Sequence, residues 1–239
     1  MERRSPGILL SLKPHGESQA IVTVFTLDFG CIRGLVRGGR KTFAGMQTGA
    51  IVSITQRKRL EHQLGNITIE VKQSTAAKVM HDYGRLQVLS YICDAIMLLL
   101  PEDNPQPMFY DRTRVFLEDI AQEGIWERLA HWEVDLLHAI GYAMRLDEEE
   151  SVRNQDDASP LLYVSPRSGR AVSAEAGGPY KERLLKLPKF FGGQEGGFLD
   201  VFRLTGHFLE HALEEMAPNR KLSARTSMLD WATETGFKA

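Results

Sequence analysis

Cysteine is scarce in this chain: Cys31 and Cys93 are the only two in 239 residues. Both lie in apolar stretches, and two thiols without neighbouring histidines cannot complete a tetrahedral zinc shell. The expectation is a pair of buried free thiols in a reducing cytosol. Long hydrophobic runs are also missing. The longest candidate, residues 95–100, is bounded by Asp94 and Pro101 and falls far short of the roughly 18 residues that a membrane span needs. Near the start, Ile8-Leu9-Leu10 is too short for a signal-peptide core and runs into Ser11, Lys13 and Pro14. A cytoplasmic protein with no membrane partner is therefore expected. The nucleotide-binding ending Gly-Lys-Ser/Thr does not occur, nor does a Gly-x-Ser-x-Gly nucleophile elbow.

Catalytic constellations are thin as well. His207 and His211 stand four apart with Glu210 between them, and His131, Asp135 and His138 share one helix face. Either spacing could contribute to a metal site, but neither comes with a full ligand set. No local nucleophile–base pair is present. The expectation is a protein that is not an enzyme and carries no cofactor or metal.

The most informative absence is of acid. Residues 29–60 contain no Asp or Glu, yet hold Arg33, Arg37, Arg40, Lys41, Arg57, Lys58 and Arg59. The net charge of −2 thus conceals an asymmetry. Residues 1–80 carry 12 Lys and Arg against 5 Asp and Glu, whereas the remainder carries 17 against 26. A basic front joined to an acidic rear suggests two modules with different partners, the first attracted to polyanions.

The periodicity divides at the same place. Short β-branched runs at 7–12, 20–27, 31–37, 51–55 and 67–71 are separated by Gly-containing turns. Ile67, Ile69 and Val71 alternate with Thr68, Glu70 and Lys72, the period of a strand with one wet face. Five such strands in about seventy residues suggest a small closed barrel. From residue 83 the period becomes helical. Helices are predicted over 83–100, from Pro105 and Pro107 to Gly124, over 125–145, over 198–216, and from near Leu222 onward. The polar stretch 147–157 reads as a loop, and 161–170 as a small hairpin or irregular insert. The fold class is α+β: a five-stranded oligonucleotide-binding (OB) barrel over 1–78, then a helical domain over 79–239 with a cysteine-free insert around 158–190.

Two basic clusters follow strands, Arg37-Gly38-Gly39-Arg40-Lys41 and Arg57-Lys58-Arg59. Glycine lets the backbone approach a phosphate, and the cations neutralise it. On a barrel both clusters would flank one groove that tracks a nucleic-acid backbone, giving salt-sensitive affinity without base readout. The candidate contacts are Arg33, Arg37, Arg40, Lys41, Arg57, Lys58, Arg59 and Lys72. Phe43, inside the first basic loop, could stack on a base.

These pieces resemble the RecO family of recombination and repair proteins. The resemblance rests on His15-Gly16-Glu17-Ser18 followed by Phe25-Thr26 and Gly30, and on Val36-Arg37-Gly38-Gly39-Arg40-Lys41. It extends to His131-Trp132-Glu133-Val134-Asp135-Leu136-Leu137 with Ile140-Gly141-Tyr142, and to Leu222-Ser223-Ala224-Arg225. It implies binding of single- and double-stranded DNA, strand annealing, and a nucleoid-associated role in loading RecA. The implied partners are RecR and the acidic C-terminal tail of single-stranded DNA-binding protein. Many members carry a four-cysteine zinc site. The corresponding segment here, residues 162–170 and on to Tyr180, has no cysteine, which suggests a zinc-less branch. Ala130 and His131 occupy the places of the basic pair expected to receive the tail. Arg128, His131, Trp132 and Leu136 are the remaining candidates for that contact, with plain core an equal reading for Trp132 and Leu136. Two other classes stay open: a metal-dependent or hydrolytic enzyme built on the histidines, and an adaptor whose basic face docks an acidic protein.

Overall fold

A computed structural model of the chain describes residues 2–38, 43, 45–58 and 64–237. They form two compact units. The first comprises Met1–Ile125 with Leu222–Glu234, the second chiefly Trp126–Lys221.

In the first unit, five strands close a barrel: β1 (Glu2–Pro14), β2 (Gln19–Thr26), β3 (Gly30–Arg37), β4 (Ile51–Arg57) and β5 (Gly65–Gln73). Their order around the barrel is β1-β2-β3-β5-β4. Antiparallel ladders join all neighbours except β3 and β5. That parallel seam has only two pairs, Gly34↔Gly65 and Leu35↔Asn66. β1 is longer than the apolar run 7–12 suggests. Its first half, Glu2 to Ile8, pairs with β4, and its second half, from Gly7 on, pairs with β2. The charged Glu2-Arg3-Arg4 stretch lies outside that apolar run, but closure recruits it as a strand.

Alternation fills the barrel. Leu9, Val22, Val24, Ile32, Val36, Ala50, Val52, Ile54 and Ile67 point inward and are buried together. Each of the buried valine, leucine and isoleucine side chains contributes roughly 1.5–3 kcal/mol. Phe25 faces the other way, yet it is fully buried, because Phe109 and Tyr110 close over its ring at centroid distances of 5.9 and 5.5 Å.

Helices α1 (Thr75–Val79), α2 (Tyr83–Leu99) and α3 (Pro107–Glu118) belong to the same unit. The side chain of Asp82 caps α2 by accepting from the Arg85 N–H at 2.9 Å. Pro101 follows the C-terminus at once, where it cannot extend the helix. Cys31 and Cys93 are free and buried, as their apolar neighbours suggest.

The second unit is built on α4 (Ile125–Ala139) and α6 (Phe198–Met216). The apolar stripes of α4 and α6 bury Leu129, Trp132, Leu136 and Leu137, and Phe202, Phe208, Leu209 and Leu213. α4 stops six residues earlier than the apolar pattern predicts. Gly141, at φ +86°, takes the left-handed cap position, and Tyr142 N–H donates back to the Leu137 carbonyl at 2.8 Å. The insert forms a three-stranded sheet of β6 (Leu161–Val164), β7 (Ala171–Ser173) and β8 (Leu185–Lys186), in the order β7-β6-β8. Between β7 and β8 come the single turn α5 (Ala174–Gly177) and a 3-10 helix, Gly178–Arg183. Helix α7 (Ser223–Thr235) returns to the first unit, where Trp231 lies edge-on to Tyr83 at 5.9 Å.

Candidate nucleic-acid interface

The pleat that buries Val36 and Ile67 points Arg33, Leu35 and Arg37 of β3 outward, together with Asn66, Thr68, Glu70 and Lys72 of β5. Register then sets the neighbours. Asn66 stands opposite Arg57 on β4 and opposite Leu35 across the parallel seam; Thr68 stands opposite Thr55. Arg37 and Arg57 consequently line one groove of about 380 Å³, with Asn66 and Thr68 between them and Met46 along the wall. Arg37 and Arg57 are the first residues of the two basic clusters. Arg40, Lys41 and Arg59 lie outside the described residues. Lys58 is half-buried.

The structure does not gather every candidate here. Arg33 sits four residues up β3 from Arg37, about 13 Å along the strand, and Lys72 lies about 20 Å along β5 from Asn66. Each has an acidic neighbour: Arg33 with Glu102 at 3.7 Å and Lys72 with Glu70 at 2.5 Å. Arg57 is paired with Glu2 at 2.9 Å, in an exposed ion pair that Arg4 shares from the other side at 2.9 Å. These two guanidinium groups, Arg57 first, hold the Glu2 carboxyl below its ordinary value. Exposed pairs of this kind contribute only about 0–1 kcal/mol, so a phosphate can replace the carboxylate at little cost. Arg37 is exposed and has no carboxylate within 4 Å among the described residues.

Phe43, within the first basic loop, is partly buried and packed against the barrel core. The Met46 N–H donates to its carbonyl at 3.0 Å, turning that segment back onto the barrel. Met46, beside the groove arginines, gave no signal in the sequence.

The residues considered for a protein tail divide by burial. Trp132 and Leu136 are 2% and 0% exposed, in the interior of the second unit. His131 is exposed, with its ring 4.9 Å from that of Phe190, and Arg128 is half-buried. Ala130 is wholly buried. Glu133 of the same motif is also buried and accepts a hydrogen bond from the Thr205 hydroxyl.

No zinc shell fits the insert. Among the described residues no group of three or more His, Cys, Asp or Glu is placed to hold a metal ion. His211 instead faces Glu215 at 3.6 Å and the Tyr142 ring edge-on at 5.8 Å. The turn Ser165-Pro166-Arg167-Ser168-Gly169-Arg170 is closed by hydrogen bonds. Ser165 N–H donates to Arg170 O and Gly169 N–H to Ser165 O, both at 2.9 Å. Further along, the Asp157 carboxylate accepts from the Ser159 N–H at 2.8 Å and from the Ser173 hydroxyl, while Arg153 donates to the Asp157 carbonyl at 3.2 Å.

A closed five-stranded barrel in this strand order defines an OB-fold protein, here with two arginines in one groove. Comparison with known proteins narrows the class. Residues 1–75 match the family described as Recombination protein O N terminal, and residues 80–222 match Recombination protein O C terminal. The chain is 39% identical to DNA repair protein RecO of Roseobacter denitrificans over 96% of its length and 98% of the relative's. It is 37% identical to the Rhodospirillum centenum protein of the same name, over 96% and 94%. The Jannaschia sp. relative is 36% identical, with 96% of each chain covered. The chain belongs to the RecO family of DNA repair proteins. No helix among the described residues is long and apolar enough to cross a membrane.

Proposed function

We propose that this protein is a non-enzymatic, nucleoid-associated recombination mediator. It binds single- and double-stranded DNA through the barrel groove and anneals complementary strands. With RecR, it helps load RecA onto DNA covered by single-stranded DNA-binding protein, whose acidic tail the helical unit receives near Arg128 and His131. The observation that carries this reading is the meeting of Arg37 and Arg57 in one groove. Two strands held on one cationic surface repel each other less, so pairing can nucleate. Apart from the two arginines, the polar lining of the groove, Thr55, Asn66 and Thr68, is small and uncharged. Affinity should therefore be nearly independent of sequence.

The test is a fluorescence titration with single-stranded oligonucleotides of unrelated sequence over a range of salt. Arg37→Ala with Arg57→Ala should weaken all of them alike. It should also flatten the slope of log K against log salt by about 1.4, the equivalent of two lost phosphate contacts. An unchanged slope would mean that DNA does not use this groove.

A further inference from the structure

The second unit is acidic overall. Residues 126–221 hold 12 Lys and Arg against 16 Asp and Glu. Yet within 178–193 the count is four cations, Lys181, Arg183, Lys186 and Lys189, against the single acid Glu182. All four cations are exposed. None has a carboxylate within 4 Å or a side-chain hydrogen bond among the described residues. This separates them from Arg145, Arg153 and Arg203 of the same unit, which are tied to Glu150, Glu148 and Asp200.

An aromatic side chain sits among them. Tyr180 is 61% exposed, and no other ring lies against it among the described residues. Burying a large ring is favourable, so one left bare beside unpaired cations is a surface with something to gain from a ligand. The 3-10 helix Gly178–Arg183 has three residues per turn, so Tyr180 and Arg183 eclipse on one side, about 6 Å apart along the axis. Residues 178–183 line a shallow concavity of about 490 Å³. Beyond it, Lys186 lies on β8, an edge strand of the small sheet, and Lys189 opens the next turn.

We propose that this concavity of the insert, with Tyr180, Lys181 and Arg183 on its lining, is a second contact for a single nucleic-acid strand, separate from the barrel groove. Tyr180 stacks on a base, and Lys181 and Arg183 take the phosphates beside it. An aromatic face flanked by cations at short spacing is the arrangement that single strands favour, because every base has a π-face and every linkage carries charge. An acidic peptide would use the cations and leave the ring without a role. The inference rests on the reading of this protein as DNA-binding, and it adds a site on the unit that composition alone would assign to proteins.

The full-length chain tests it. Lys181→Ala with Arg183→Ala should flatten the salt slope for an oligo-dT single strand by about 1.4, and Tyr180→Ala should weaken binding roughly 5-fold or more. Both variants alter exposed side chains, so their melting curves should match the parent's. Arg37→Ala with Arg57→Ala is run in parallel. If the barrel variant flattens the slope and the insert variants leave slope and affinity unchanged, the insert is only a solvated face and the inference fails while the barrel reading stands. If neither set changes the slope, both fall. If the insert variants weaken binding of poly-glutamate but not of oligo-dT, the face serves an acidic protein and the inference is overturned.

Discussion

Barrel closure predicts a sharp sensitivity at Gly34. The β3–β5 seam has two residue pairs, and one of them is Gly34 with Gly65. A methyl group added at Gly34 would stand 2.5 and 2.6 Å from Ile67 Cγ1 and Cδ1 and 2.8 Å from the Gly65 carbonyl oxygen. The isoleucine belongs to the barrel core, and the carbonyl is backbone, so neither yields freely. Overpacking of this kind costs about 1–3 kcal/mol. For a chain of this size that corresponds to a melting temperature lowered by roughly 2–12 °C. With so short a ladder the strain is relieved by separating β3 from β5, which moves Arg37 away from Arg57. Gly34→Ala should thus lower both the melting temperature and the affinity for single-stranded DNA. Gly45→Ala is the control. An added methyl there meets nothing within 4 Å, so its effect should stay within about 0.5 kcal/mol. Calorimetry and oligonucleotide titration on the two variants decide the matter. A Gly34→Ala protein that melts with the control and binds like the parent would refute the account of the seam.

Burial pushes the thiols of Cys31 and Cys93 up to about 12, so neither forms thiolate near neutral pH. A thiol reagent should label neither in the folded protein and both in denaturant; rapid labelling of the native chain would contradict the packing. Hydrogen bonds from Ser159 and then Ser173 hold the Asp157 carboxyl down at about 2, against an ordinary 3.8. A carboxylate depressed in the folded state stabilises above its unfolded value and ceases to do so as pH falls through the folded one. The insert should therefore keep this contribution above about pH 4 and lose it between about pH 4 and 2. Asp157→Asn should remove that part of the acid dependence of hydrogen exchange over residues 157–175, and identical profiles for the two proteins would count against the clasp.

The sequence shows the barrel and its charge more readily than it shows where the charges meet. Alternation of Ile67, Ile69 and Val71 with polar neighbours is a local signal, and it places β5 correctly. The extension of β1 to Glu2 has no local signal, because those residues become a strand only when β4 pairs with them. The same holds for the groove. Arg37 and Arg57 are twenty positions apart, and only the seam through Gly65 and Asn66 sets them on one wall. The packing of Phe43 against the barrel core likewise has no local signal. In the second unit the stripe of α4 was legible but its end was not, since Gly141 acts by adopting a left-handed cap rather than by breaking the apolar pattern. The third strand of the insert, two residues long, is below what periodicity can register.

The ion pairs on the barrel lead to a prediction about Glu2. Its carboxylate bridges Arg4 and Arg57, each at 2.9 Å, and β1–β4 pairing sets it directly opposite Arg57. A phosphate entering the groove must displace this carboxylate from Arg57 or sit beside it at the cost of like-charge repulsion. The carboxyl is held below its ordinary 4.5, so it stays ionised throughout the neutral range and opposes DNA at every working pH. Glu2→Gln keeps the shape and a hydrogen-bond acceptor but removes the charge. Binding of single-stranded DNA should tighten, by roughly 5-fold at most given the small worth of exposed pairs, and the salt slope should steepen as Arg57 becomes available. Tighter binding without a steeper slope would point to a change elsewhere on the barrel. Weaker binding would mean that Glu2 orients Arg57 for the phosphate rather than competing with it, and the picture of a competing carboxylate would have to be abandoned.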